Sequence, residues 1–196
     1  MKELEDIILD KVKLFDKWSF KDLKVEDPGL ARCISLRPIL VPHSGGRHEH
    51  RHFGKSGINI VERLVNNLMR HGKSGGKKLK AISMVKNAFD IINLKTGKNP
   101  VEVLTRAIER GAPCEDTTRI THGGIVYRVS VDISPQRRVD IALRLLAEGA
   151  RTTAFGNPKS MDECLADEII LAAAGDSKSY IISKKNEMER IAVAAR

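Results

Sequence analysis

Residues 114–139 read CEDTTRITHGGIVYRVSVDISPQRRV. Two runs rich in β-branched residues, 117–121 and 125–131, flank His122-Gly123-Gly124, where glycine tolerates the left-handed backbone of a tight turn. The stretch therefore predicts a β-hairpin over about residues 115–133. Alternation places Ile125, Tyr127, Val129 and Val131 on one face and Arg128 and Ser130 on the other. Ser134-Pro135 then ends the strand and opens a helix, because serine caps and proline fits a first helical turn. Helical periodicity resumes on both sides of this insertion. The expected class is mainly α: a six-helix, bundle-like domain with one β-hairpin between the third and fourth helices.

Working toward the N-terminus, Asn99-Pro100 opens the third helix, with Val101, Leu104 and Ile108 on its buried face and Gly111 as its stop. The second carries Ala81, Ile82, Val85, Phe89 and Ile92, and Gly97 ends it. The first carries Val61, Leu64, Val65, Leu68 and Met69, and Gly72 ends it. Toward the C-terminus, the fourth uses Val139, Leu143 and Leu146 and is expected to stop at Gly149. Ser160 to Glu163 form a capping box for a fifth helix bearing Leu165, Ile169, Ala172 and Ala173. A sixth begins near Ser183 and runs through Met188, Ile191 and Ala192. Upstream, Asp27-Pro28-Gly29 and the extended 37–42 stretch break any pattern. Residues 1–55 read as an arm or extension and residues 56–196 as the helical domain.

The chain has 196 residues and 41% hydrophobic content, enough for a core without staples. Three separated cysteines, Cys33, Cys114 and Cys164, argue against a disulfide scaffold or zinc ribbon and for a reducing compartment. No apolar run suits a signal peptide or a membrane span. The formal charge is +9, and it is concentrated: residues 47–80 hold nine bases against Glu49 and Glu62, whereas residues 1–46 sum to zero. Such a window points to a polyanion. Aromatics make up only 4%, which counts against a base-stacking platform built of several rings.

Motifs with chemistry are scarce. Gly54-Lys55-Ser56 and Gly72-Lys73-Ser74 resemble fragments of a phosphate-binding loop, but neither has the upstream glycine or a preceding strand. His48, His50 and His52 alternate, yet Arg47 and Arg51 between them would repel a metal ion. This segment reads as a basic surface lying on an anionic partner. No nucleophile, base and acid group together, so neither a catalytic centre nor a cofactor or small-molecule substrate is expected. The basic positions do form a pattern. Lys73, Lys77 and Lys78 gather at the start of the second helix, where free N–H groups also attract phosphate. Arg137 and Arg138 occupy the first turn of the fourth, unfavourably unless an anion compensates them.

Several segments together resemble the S-seven family of small-subunit ribosomal proteins, in its archaeal and eukaryotic form. They are Val61-Glu62-Arg63-Leu64, Gly76-Lys77-Lys78-Leu79, Asn99-Pro100, the 131–139 hairpin exit, Glu163 to Glu168, and Lys184-Lys185 with Glu189-Arg190. The resemblance covers about residues 55–196. It implies direct binding to the 3′ major domain of small-subunit rRNA, organisation of the subunit head, and a hairpin near exit-site tRNA and the mRNA path. It also implies neighbouring head proteins as partners and a cytoplasmic location. The candidate RNA-binding residues are Arg47, Arg51, Lys55, Arg70, Lys73, Lys77, Lys78, Arg119, His122, Arg128, Arg137, Arg138, Lys184 and Lys185. The hairpin is less basic than in bacterial members and the chain ends at Arg196 without their C-terminal tail, so strong hairpin contacts or roles of that tail are not implied. A non-ribosomal RNA- or DNA-binding regulator is the alternative reading.

Overall fold

The structure is a computed structural model that describes residues 12–21, 23–69 and 72–196; the side chains of Glu49 and His122 also lie outside the described set. Two short 3₁₀ turns, Arg47–His50 and Gly54–Gly57, precede helices α1 (Ile60–Leu68), α2 (Lys78–Thr96) and α3 (Pro100–Gly111). Strands β1 (Glu115–His122) and β2 (Ile125–Asp132) follow, then α4 (Pro135–Ala154), α5 (Met161–Ala174) and α6 (Tyr180–Ala194). The expected order, three helices, a hairpin and three helices, is observed among the described residues. The strands are antiparallel, with Glu115 opposite Asp132 and His122 opposite Ile125. Gly123 and Gly124 carry the turn at φ 59° and 83°.

The core lies where the apolar stripes predicted it. α5 packs against α2, α3 and α4, and α6 packs on α4 and the base of the hairpin. Phe89, Ile92, Leu104, Ile108, Leu143, Leu146 and Leu165 are fully buried among them. Each such side chain removed from water contributes roughly 1.5–3 kcal/mol before ordering entropy is counted. The N-terminal segment joins this core: Leu14, Phe20, Leu30 and Ile34 are buried in it. Lys17 pairs with Asp90 at 2.8 Å, Asn99 donates to the Ser19 carbonyl at 2.7 Å, and Glu109 accepts from the Glu26 amide at 2.6 Å. The arm thus lies along the helical body, and the Ile60 amide donates to the Ser35 carbonyl where it meets α1.

Four local expectations need correction. Gly149 does not end α4, which runs to Ala154. The glycine instead lets another chain segment approach: a Cβ there would sit 2.8 Å from that of Tyr180. Gly111, by contrast, does end α3 as its last residue, and it faces buried Ile181. α6 begins at Tyr180, ahead of Ser183, because buried Glu168 on α5 accepts from the Ser179 hydroxyl at 2.7 Å and the Ile181 amide at 3.1 Å. A remote carboxylate therefore satisfies that helix start. Finally, α1 ends at Leu68, before Gly72, and Ile191 on α6 is exposed.

Candidate nucleic-acid interface

Two grooves bring together six exposed cations, Arg51, Lys55 and Arg137 in one and Lys73, Lys77 and Lys80 in the other. The first, about 740 Å³, lies between the two 3₁₀ turns and the start of α4. Arg51, Phe53 and Lys55 line one side, Asn66 and Asn67 at the end of α1 line the next, and Gln136 and Arg137 close it. Its architecture depends on Arg63, which is buried and donates to the Cys33 carbonyl and to Asp140, both at 2.8 Å. Asp140 also holds Lys55 at 2.9 Å, and so ties the 3₁₀ segment to α4. Four cations, Arg51, Lys55, Arg63 and Arg137, thus line this groove, with Asp140 as the one carboxylate among the described residues. Phe53 sits at φ 57°, an unfavourable left-handed backbone for a non-glycine residue, and its ring is mostly exposed.

The second groove, about 420 Å³, lies across the C-terminal end of α1 from the first. Lys73, Lys77, Lys80 and Arg151 line it together with Met84, Phe155 and Met161, and among the described residues no carboxylate does. Arg151 donates to the Asn67 carbonyl at 2.6 Å, so the two grooves share that helix end. A smaller hollow continues from the first groove through Lys55, Arg137 and Arg144.

The helix starts divide into two kinds. At α1, α3 and α5, Asn59, Asn99 and Ser160 accept backbone N–H groups and acidic residues occupy the first turn. At α2, α4 and α6 the N-cap side chain makes no cap hydrogen bond and no acid lies in the first turn, but at α6 Glu168 supplies an acceptor from α5. The α2 and α4 starts bear Lys77 and Arg137 at their positive dipole ends; at α2 the Lys77 and Lys78 amides already donate to the Ser74 and Gly76 carbonyls, so its free donors lie beyond Lys78. Ser134 therefore does not cap through its side chain as expected.

Other predicted positions fall in less open settings. Lys78 is 19% exposed and lies 2.6 Å from buried Glu62, which also accepts from the Ser44 amide and hydroxyl. Burial pushes the Glu62 carboxyl up, but the Lys78 and Ser44 hydrogen bonds and the Lys78 charge together hold it below its ordinary value. Arg138 is 15% exposed and donates to the Pro113 carbonyl at 3.1 Å and to Asp27 at 3.4 Å. Arg47 is exposed on the first 3₁₀ turn; that turn breaks the histidine alternation, and the His52 ring packs edge-on against Phe53 at 4.2 Å. Arg70 lies outside the described residues, as does the side chain of His122. Lys185 donates to the Arg110 carbonyl at 2.8 Å, at the C-terminal end of α3, and Lys184 pairs with Glu187 at 2.7 Å. The hydrogen bond from Lys184 and its charge hold the Glu187 carboxyl below its ordinary value.

On the hairpin, Arg119 and Arg128 are both exposed and directly opposite. Like charges in that register are mutually destabilising by up to about 1 kcal/mol unless an anion lies between them. The apolar face, Ile125, Tyr127, Val129 and Val131, is exposed. α6 braces the base of the hairpin: the Ser130 amide donates to the Ala195 carbonyl at 3.3 Å and Arg196 pairs with Glu115. Sequence reasoning missed Lys80, Arg144, Phe53 and Phe155 as lining residues. Helical spacing could have found two of them, since Lys80 follows Lys77 by three residues and Arg144 follows Arg137 by seven. Among the described residues no group of histidine, cysteine or carboxylate side chains is placed to hold a metal, and no helix is long and apolar enough to cross a membrane.

Comparison with known proteins identifies the family. The sequence profile of the family described as ribosomal protein S7p/S5e matches residues 30–196. Small ribosomal subunit protein uS7 of Methanothermobacter thermautotrophicus is 55% identical over 182 residues, covering 93% of this chain and 98% of that protein. The uS7 proteins of Cenarchaeum symbiosum and Methanosphaera stadtmanae are each 53% identical, covering 93% of this chain and 96% and 98% of their own lengths. The chain is thus a member of the ribosomal protein S7p/S5e family, non-enzymatic structural constituents of the small ribosomal subunit.

Proposed function

We propose that this chain binds the 3′ major domain of small-subunit rRNA through the two grooves and the uncapped starts of α2 and α4, and so organises the head of the subunit. One observation carries the reading: the helix N-termini without a side-chain cap or first-turn acid that carry Lys77 and Arg137 open beside those grooves. Phosphates meet there both side-chain cations and backbone N–H donors. Arg51 and Arg137 face the first groove, Lys73 and Lys77 the second. Arg47, Lys55 and Lys78 extend the same surface, with Lys55 and Lys78 also serving internal ion pairs. Arg119 and Arg128 carry positive charge out along the hairpin, toward exit-site tRNA and the mRNA path. Neighbouring head proteins are its further partners, and the particle is the cytoplasmic ribosome.

The test is binding of the full chain to a transcript of the 3′ major domain over a range of salt. Lys73→Gln and Lys77→Gln should each lower the slope of log affinity against log salt by roughly 0.7–0.9, the mark of one lost phosphate contact. Slopes unchanged in both variants would contradict the second groove as a phosphate site.

A further inference from the structure

The second groove is not purely cationic. Phe155 is 90% exposed, although large apolar side chains are usually withdrawn from water. Its backbone is fixed at the C-cap of α4, where its amide donates to the Arg151 carbonyl at 3.1 Å. Beside it the groove floor is apolar and polarisable, formed by Met84, Met161 and buried Leu68. Lys73, Lys77 and Lys80 edge this floor, with no carboxylate among the described residues. A flat apolar body attached to negative charge fits such a site. A nucleotide has that form, with a base for the ring and thioethers and a phosphate for each flank. The two grooves flank the end of α1, where Arg151 of the second donates to the carbonyl of Asn67 of the first, so a strand that crosses this helix end passes from one to the other.

We infer that this groove takes one unstacked nucleobase of the bound RNA, with Phe155 stacking on the base and Lys73, Lys77 and Lys80 meeting the adjoining phosphates. The inference rests on the RNA-binding reading above and adds to it a base pocket in an otherwise backbone-reading surface. Low aromatic content excludes a platform of several rings, but one base needs only one.

The full chain is titrated against a transcript of the 3′ major domain, comparing wild type with Phe155→Ala and Phe155→Trp. The ring is exposed, so all three should melt alike. Phe155→Ala should weaken binding by about 5- to 150-fold, the range for losing one base stack, while the salt slope stays at the wild-type value. Phe155→Trp should restore affinity, and 2′-hydroxyl reactivity should change at one unpaired nucleotide and its neighbours. If wild type binds and Phe155→Ala stays within about twofold of it, the base pocket is wrong while RNA binding stands. A weakened affinity with a reduced slope would also refute stacking. So would transcript binding that is unchanged while capture of an acidic head-protein segment is lost, since that makes the occupant a protein. Failure of wild type to bind the transcript would remove both readings together.

Discussion

Lys77 and Lys78 are adjacent in sequence, yet the structure separates their roles sharply enough to test. Lys77 is exposed at the uncapped start of α2 and makes no ion pair among the described residues. Neutralising it to Gln should remove about one phosphate contact, a slope change of roughly 0.7–0.9, and leave stability within about 0.5 kcal/mol. Lys78 is 2.6 Å from a Glu62 carboxylate that is only 4% exposed. Lys78→Gln leaves that carboxylate with the Ser44 amide at 2.8 Å and the Ser44 hydroxyl at 2.9 Å. Breaking a buried pair costs about 3–5 kcal/mol; the surviving Ser44 bonds and the partial exposure of Lys78 reduce this to about 2–3. For a domain of this size, that loss lowers Tm by about 4–12 °C. The double variant Glu62→Gln with Lys78→Gln removes both charges and should recover most of it. Thermal melts and salt-dependent binding on the same samples decide the matter. If Lys77→Gln and Lys78→Gln gave equal slope changes and neither moved Tm, the assignment of Lys78 to the fold would be refuted.

Further tests follow from burial, charge and packing. Glu62 and Asp167 both titrate below their ordinary values: burial raises each, but hydrogen bonds from Lys78 and Ser44, or from Lys95 and Lys159, outweigh it. Their stabilisation is therefore full above the unfolded carboxylate pKa and falls as pH drops through the depressed folded values. Acid unfolding of the Glu62→Gln, Lys78→Gln double variant should accordingly be shallower than wild type in that window. Glu109 has the opposite sign, because burial raises it more than the Glu26 and Asp27 amides lower it. Its contribution is full below the unfolded pKa and is lost as pH rises through the raised folded value, so Glu109→Gln should raise Tm at pH 7 and not in strong acid. Gly149→Ala should destabilise by roughly 1–3 kcal/mol despite alanine's better helix propensity, because the new methyl meets Tyr180 at 2.8 Å; a denaturant midpoint equal to wild type would contradict the close approach. Arg119→Gln relieves repulsion from Arg128, so the free chain should melt no lower while transcript affinity falls.

Sequence made the architecture legible because its signals were local. Asn99 and Ser160 do cap their helices, and the Gly123-Gly124 turn sets the hairpin register. The misreadings came from partners distant in sequence. Gly149 looks like a stop, yet it lies where a neighbouring helix comes too close for a side chain. Ser183 seemed a natural helix start because nothing near Ser179 reveals the carboxylate supplied by Glu168. Charge counting placed Arg63 in a surface patch, but its partner Asp140 is 77 positions away and draws the guanidinium inside. Lys78 and Arg138 were legible as basic but not as paired, for the same reason. Phe53 and Phe155 carry no surface signal, since apolar residues are read as core by default. The positive window was visible in sequence; which of its cations face outward was not.

The central claim is that cations at two uncapped helix starts and their grooves hold folded small-subunit rRNA. The most direct measurement compares wild type with the combined Arg51→Gln, Lys73→Gln, Lys77→Gln, Arg137→Gln variant on the 3′ major domain transcript across salt concentrations. Both proteins should melt alike, since all four side chains are exposed. Wild type should bind, and the variant's log–log salt slope should be smaller by about three. Identical slopes, or a wild type that does not bind the transcript, would contradict it.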